Sequence, residues 1–179
     1  MSLQNSSPDP ASNPSADLAS DQLTQLYQAF LAQFGSVILA TVSPDQQPQA
    51  SYAPCVIDSS RNIYVFVSGL SAHTQNLINT GKASALFIED ESKTQQMFAR
   101  KRLSYTCVAQ LVDRESPHWQ VIAQQFEDRF GPIVDVMKGL ADFRIFQLQP
   151  QSGRFVVGFG AAYDIDPNNL NRLIHQGKV

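Results

Sequence analysis

The residues best suited to chemistry lie where an apolar stretch ends in small hydroxyls and an imidazole. The apolar stretch over 63–67 reads IYVFV, and directly after it come Ser68, Ser71, His73 and Thr74. A short helical pattern follows. Backbone N–H groups at a helix start carry a partial positive charge, and hydroxyl groups add further donors. The segment therefore predicts a site for the phosphate of a small molecule.

A second group of donors, Arg100 and Arg102, begins the fifth strand-like stretch. Side chains two residues apart on a strand share a face, and two guanidinium groups on one face can hold a phosphate bidentately. Taken alone, such a pair is more often a set of solvated edge charges. Because strand ends can meet in an antiparallel barrel, we expect both arginines to complete the phosphate site that begins at Ser68.

The elements that must position these residues are mostly short strands. Strand-like patterns occupy 36–42, 49–57, 63–68, 82–89, 100–112, 143–148 and 154–159. Helical patterns occupy 20–34, 73–81, 116–130, 133–140 and 166–175. Short strands joined mostly by turns do not suit a doubly wound sheet. They favour a mainly β, antiparallel barrel with peripheral helices, since closure removes exposed strand edges.

Composition limits the classes of function. The 179 residues suit one domain, and the formal net charge of −3 argues against a general nucleic-acid binder. No stretch has the length of a membrane span. Residues 1–17 are rich in Ser, Pro, Asn and Asp, so we expect a disordered tail before a domain over 18–179, and no signal peptide. Two separated cysteines favour free thiols in the cytoplasm, and no Cys/His cluster has metal-ligand spacing.

Together these segments resemble the FMN-binding split-barrel superfamily, whose best-known member is pyridoxamine 5′-phosphate oxidase. The resemblance is carried by SYAPCV (51–56), YVFVSGLSAHTQNL (64–77), ARKRLSYTCVAQLV (99–112) and DFRIFQLQP (142–150). Within the superfamily the chain is similar to the haem-utilisation branch, the HugZ/HutZ-like proteins. That similarity rests on an HxxN at 73–76, an RxRL at 100–103, RFGPIVD at 129–135 and GFGAAY at 158–163. It covers about 23–179 and implies a six- to seven-stranded antiparallel split barrel.

The flavin-binding members imply a homodimer with two FMN sites at the subunit interface. The residues that map to the FMN phosphate are Ser68, Ser71, His73, Thr74, Arg102 and Arg100. The backbone of Ala53 to Cys55 would lie near the flavin ring. The chemistry would then belong to the cofactor, while the protein orients it. Our first expectation is therefore a flavin-dependent oxidoreductase acting on a small molecule that the sequence does not name.

The haem-degrading members imply a second function. In them a histidine of a C-terminal extension ligates iron, and an aspartate of the partner subunit tunes that histidine. Asp135 matches the aspartate, and His175, in the predicted terminal helix, is the histidine that could serve if this segment packs differently. Because the family's histidine is expected beyond His175, we place haem second to FMN. A third possibility is a binding module without catalysis, so whether the chain is an enzyme stays open.

Overall fold

The computed structural model describes residues 20–175, with side chains over 21–174. The tail expected over 1–17 and the expected domain start at residue 18 lie outside the described residues. The helices are α1 (Ser20–Ala32), α2 (Ala72–Thr80), α3 (Pro117–Phe130) and α4 (Ile133–Gly139). The strands are β1 (Ser36–Val42), β2 (Pro48–Ile57), β3 (Ile63–Ser68), β4 (Lys82–Ile88), β5 (Arg102–Leu111), β6 (Phe143–Gly158), β7 (Ala161–Asp166) and β8 (Asn169–His175). Within the described range, no helix has the length and apolar character needed to cross a membrane.

Six strands close into an antiparallel barrel in the order β3-β2-β1-β4-β5-β6, and β3 pairs with β6 to complete it. Strands β7 and β8 extend the sheet from the second half of β6. This architecture confirms the mainly β, six- to seven-stranded antiparallel split barrel with peripheral helices. Neighbouring strands of the barrel run in opposite directions, so each connection lies at one of the barrel's two ends. We call the end where β1 and β5 begin the α1 end, and the end where β1 and β3 finish the α2 end.

The interior of the barrel is apolar because every second side chain of a strand points into it. On β1, Val37 and Leu39 are buried, whereas Ile38 between them is exposed. Helix α1 packs against this interior through Phe30, whose ring centroid lies 5.4 Å from that of Phe155 on β6. Helix α1, which lies within the helical pattern predicted over 20–34, therefore packs on the barrel core.

A second apolar core lies outside the barrel, where α3 and α4 cover β3 and the first half of β6. Its members are Val56, Tyr64, Phe66, Val112, Trp119, Ile122, Ala123, Phe126, Val134 and Ile145. Helix α3 begins as its sequence predicts, because Ser116 Oγ accepts the N–H of Trp119 at 3.2 Å and Pro117 occupies the first turn. Packing against this second core fixes α4 beside the α2 end of β6.

Strand β6 is longer than expected. The sequence predicts two strands, 143–148 and 154–159, because the residues between them are typical of a turn. The structure instead has one strand of 16 residues. Its register against β5 shifts at a bulge, so the strand bends and continues. Gly153 permits this close approach, since a Cβ there would lie 2.6 Å from Tyr105 Cδ1.

The helix expected over 166–175 is wrong, and this segment forms a hairpin of β7 and β8. Asp166 Oδ1 accepts the N–H of Asn168 at 2.9 Å, which makes a side-chain-stabilised turn around Pro167. The same Asp-Pro pair suits a helix start, and the three-residue spacing of Leu170 and Leu173 imitates a helical stripe. Both signals are local, and pairing with β7 overrides them.

Candidate functional site

The turn after β3 does not present its first hydroxyl to a ligand. Ser68 Oγ donates to a carboxylate oxygen of Asp142 at 2.7 Å, and the N–H of Gly69 donates to the Asp142 carbonyl at 2.8 Å. A Cβ on Gly69 would lie 2.9 Å from that carbonyl oxygen, so the contact requires glycine. A carboxylate at this position repels an anion. The local charge therefore opposes the phosphate site that the sequence predicts.

The remaining residues of the predicted phosphate segment serve the turn and helix α2. Thr74 is fully buried, and its Oγ1 donates to the Ser68 carbonyl at 2.6 Å. Ser71 occupies the N-cap position, but its side chain makes no capping hydrogen bond. His73 Nε2 is buried without a hydrogen-bond partner, and burial lowers the pKa of this imidazole. The neutral form of His73 is therefore favoured.

The two arginines lie at the other end of the barrel. Arg100 precedes β5, at the end of a 3₁₀ turn, so it does not share a strand face with Arg102. Its Nε donates to the Glu89 carbonyl at 2.6 Å, and its Nη1 forms an ion pair with Glu91 at 2.9 Å. Arg102 Nη1 donates to the carbonyl of Arg100 at 2.9 Å. Both guanidinium groups thus stabilise the loop between β4 and β5.

Strand direction explains why the two groups of donors stay apart. Strands β3 and β5 both pair antiparallel with β6, so they run the same way. The end of β3 at Ser68 and the start of β5 at Arg102 therefore lie at opposite ends. The seven residues of β4, about 23 Å long, separate α2 from Glu89. Within one copy of the described chain, no hydrogen bond or ion pair joins the Ser68 segment to either arginine.

The residues expected near a planar ring, Ala53 and Cys55, are buried in the barrel interior. Burial raises the pKa of the Cys55 thiol to about 12, and burial has the same effect on the pKa of Cys107. Both thiols are free and stay protonated at neutral pH. Their side chains therefore face the core, and only the backbone of this stretch could approach a ligand.

Sequence patterns do not predict a groove that lies on the outer wall near the α1 end. This groove of about 420 Å³ lies where the end of α1 approaches β1, β2 and β4. Its apolar lining is Phe34, Ile38, Tyr52, Leu86, Phe87 and Ile88, and its charged lining is Glu89, Asp90, Lys93 and Arg100. Tyr52 is 63% exposed in it. The groove combines an apolar wall for a flat molecule with a charged end that holds two cations and two carboxylates. Strands β1, β2 and β4 each supply between one and three of its residues, so no single motif signals it.

The residues of the haem alternative lie far apart in one copy. Asp135 is exposed on α4, and its Oδ1 lies 2.5 Å from Lys138 Nζ, which also pairs with Glu127 at 2.7 Å. These two carboxylates raise the pKa of Lys138. His175 ends β8, with its backbone opposite Tyr163, and its side chain lies outside the described residues. Asp135 is beside the first half of β6 and β8 is beside the second half.

Metal ligands are not clustered in the described part of the chain. Over residues 21–174, whose side chains are described, no group of three or more His, Cys, Asp or Glu could hold a metal ion. The histidines illustrate this dispersal. His73 lies on α2, and His118 lies on α3 with its ring 5.5 Å from that of Tyr64. A protein site for iron here would thus rely on one side chain plus ligands that a cofactor brings.

Comparison with known proteins identifies one family, and it finds relatives whose descriptions name haem. The family model of pyridoxamine 5′-phosphate oxidase matches residues 23–157. The haem oxygenase HutZ of Vibrio cholerae serotype O1 is 41% identical over 137 residues, which are 76% of this chain and 77% of HutZ. A crystal structure of V. cholerae HutZ, described as a haem storage protein, is 37% identical, with a TM-score of 0.67 over 70% of this chain and 88% of that one.

A further solved structure, ChuZ of Campylobacter jejuni, is 31% identical with a TM-score of 0.78. The alignment covers 90% of this chain and 65% of ChuZ. The expectation of an FMN-dependent oxidoreductase is overturned by the HutZ relatives, whose descriptions name haem. At the predicted phosphate segment, the Ser68 hydroxyl is already bound to the carboxylate of Asp142, which adds a negative charge beside it.

Proposed function

The chain belongs to the pyridoxamine 5′-phosphate oxidase family, in the haem-utilisation branch that includes HutZ, and on that premise we propose that it binds haem and degrades it oxidatively. The observation that carries the proposal is the 41% identity to a haem oxygenase over 77% of that protein. Because HutZ is also described as a haem storage protein, storage without turnover is the second candidate.

The residues present suit haem, which is a flat apolar ring with two propionates and an iron that needs an axial donor. We propose that the ring lies in the groove near the α1 end, against Ile38 and Tyr52, and that Arg100 binds a propionate. Arg100 is 17% exposed, whereas its present partner Glu91 is 69% exposed, so Glu91 can turn into solvent and leave Arg100 Nη1 to a propionate. Haem iron supplies the oxygen chemistry when bound. The chain binds and orients the ring and excludes water from its apolar face.

We propose His175 as the axial ligand, with Asp135 of the partner subunit beside it, as the family resemblance implies. Strand β8, which ends at His175, lies at the same end of the barrel as the groove. Asp135 lies beside the opposite end of β6, so it can approach His175 only from a second copy. A carboxylate near a ligating imidazole raises the basicity of that ligand.

A dimer through the outer wall of the barrel supplies this second copy. Ile38 on β1, Tyr52 on β2 and Val108 on β5 are exposed there, between 41% and 63%. Their neighbours on this face include Ala40, Ser84 and Thr106. We propose that two copies pack face to face on this wall, because small side chains let two sheets approach closely and the exposed apolar groups then leave water.

The chemistry of the thiols supports a proposal for the compartment. The free cysteines Cys55 and Cys107 lie in the apolar core and form no disulfide. This state suits a reducing compartment, and we propose that the protein acts in the cytoplasm.

Titration with haem tests the proposed function. We expect a Soret band that saturates at one haem per chain, and no comparable binding of FMN added as a control. The chain has three histidines, so single His→Ala variants assign the ligand. His175→Ala shifts or removes the band, whereas His73→Ala and His118→Ala keep it.

Addition of ascorbate in air then separates the two candidate functions, degradation and storage. Degradation bleaches the band and releases iron to a chelator, whereas storage leaves the band unchanged. A spectrum that stays that of free haem contradicts both.

A further inference from the structure

Arg61, in the turn between β2 and β3, has an unusual backbone conformation. Its φ is +70°, one of two positive values among the described non-glycine residues. The turn is held by Asp58, whose carbonyl accepts the N–H of Arg61 at 3.1 Å and whose Oδ1 accepts the N–H of Asn62 at 2.9 Å. Glycine or asparagine would suit the left-handed region better than arginine. A strained backbone at a residue with distant side-chain contacts points to a function for that side chain.

The side chain of Arg61 reaches the C-terminal hairpin. Its Nε donates to Asn171 Oδ1 at 2.9 Å, a contact across 110 residues of sequence. The guanidinium carbon lies 5.1 Å from the centroid of the Tyr27 ring, a cation–π contact between the turn and α1. One side chain thus connects the β2–β3 turn, helix α1 and strand β8.

Tyr27 contacts the same strand from the barrel core. It is fully buried, and its hydroxyl donates to the Leu170 carbonyl at 3.0 Å. The hydroxyl also shares a hydrogen bond with Tyr105, which must be the donor because Tyr27 has a single O–H. Two consecutive residues of β8, Leu170 and Asn171, are therefore tied to the barrel through Tyr27 and Arg61.

Strand β8 depends on these ties because it is the last strand of the sheet. Among the described strands it pairs with β7 alone, and that pairing is irregular between Ile165 and Asp166. Strand β7 in turn pairs with the second half of β6. The hydrogen bonds at Leu170 and Asn171 lie near the start of β8, and His175 follows within the same strand. Fixing the start of a short strand fixes the direction in which its last residue lies.

We propose that Arg61 is a positioning residue that holds β8 against the barrel and thereby places His175 for haem iron. The inference rests on the proposed function, in which His175 is the axial ligand. The contacts of Arg61 and Tyr27 hold the start of β8 in place without any ligand being bound. We call the contacts of Arg61 and Tyr27 with β8 the clamp. The clamp explains the strain at Arg61, since glycine would relax the turn but could not reach Asn171.

Hydrogen exchange on the haem-free protein tests the clamp by itself. Arg61→Gly is the variant of choice, because it removes the side chain while suiting the positive φ of the turn. We expect amides of β8 to exchange about tenfold faster, with β1–β6 unchanged. Arg172→Ala is the matched control, since this arginine is also on β8 and is 70% exposed, and its ion pair, at 3.6 Å, is with Asp166 of the hairpin. Unchanged exchange in β8 of Arg61→Gly overturns the proposal. Asn171→Ala, which removes only the acceptor, tests the same clamp if Arg61→Gly folds poorly.

Haem titration then tests the connection to His175. Arg61→Gly should bind haem about tenfold more weakly than wild type, and Arg172→Ala within about twofold of it. In a His175→Ala background, Arg61→Gly should change the residual affinity by less than about twofold, because its effect acts through that ligand. An equal loss in both backgrounds overturns the positioning role. If His175→Ala binds haem as wild type does, the ligand assignment fails, and the exchange data show whether the clamp itself exists.

Discussion

Arg100 is a residue whose guanidinium can change partners. It has Glu91 as an exposed ion-pair partner at the rim of the groove, and a propionate could replace that carboxylate at little cost. We expect Arg100→Ala to weaken haem binding about tenfold, ~1.4 kcal/mol. The measurement is a Soret titration. Lys101→Ala is the control, since Lys101 is the next cation along the chain and pairs with Glu89 at 3.0 Å. A similar loss in both variants would mean that net charge, and not the groove, controls affinity.

His73 gives the stability a pH dependence of known sign. Burial lowers its pKa below the ordinary value of 6.5. The unfolded chain therefore binds more protons than the folded one between the two pKa values. This contribution to stability is fully present above pH ~6.5 and is lost as the pH falls through the folded pKa.

We expect the melting temperature of the wild type to fall more than that of His73→Gln between about pH 7.5 and about pH 5.5. His118→Gln, which changes an exposed histidine of α3, should follow the wild type. Equal pH responses of all three proteins would show that the burial of His73 has no effect on the folding equilibrium.

At the scale of elements, the bend of β6 depends on Gly153. A side chain there would meet Tyr105 and the Ser104 carbonyl, each within 2.7 Å of the added Cβ. We expect Gly153→Ala to lower the free energy of unfolding by about 1–3 kcal/mol, because the barrel wall must move. Gly158→Ala is the control, since nothing lies within 4 Å of a Cβ at that position. Urea unfolding measures the free energy of unfolding of both variants. Equal values for the two would contradict a steric role for Gly153.

Local patterns predicted most elements, because amphipathic periodicity is a property of neighbouring residues. They fail where a residue's role depends on a distant partner. Pro150 and Gly153 look like a turn until β5 is placed beside them, and Pro167 looks like a helix start until β7 is. The same limit applies to the prediction of the candidate site. The sequence identified Ser68 and Arg102 as polar strand ends, but only the shared antiparallel partner β6 shows that these ends face away from each other.

At the scale of the whole molecule, the haem site that we propose needs two copies. The outer wall that we propose as the interface is testable through Val108, which is 41% exposed on β5. We expect Val108→Glu to convert a dimer into a monomer, because a charge would be buried against apolar groups. Light scattering after gel filtration gives the mass. Val121→Glu is the control, since Val121 is 56% exposed on α3, away from this wall. A monomeric wild type would contradict the dimer.

In a chain that degrades haem, as we propose, side chains near the haem are exposed to peroxide, which attacks thiolates and exposed thioethers. With the pKa of Cys55 and Cys107 raised to about 12, almost no thiolate exists at neutral pH. Met97 is instead 54% exposed, in the loop that carries Arg100. Oxidation of the protein is therefore expected at the Met97 sulfur, while the two thiols of the barrel core stay reduced.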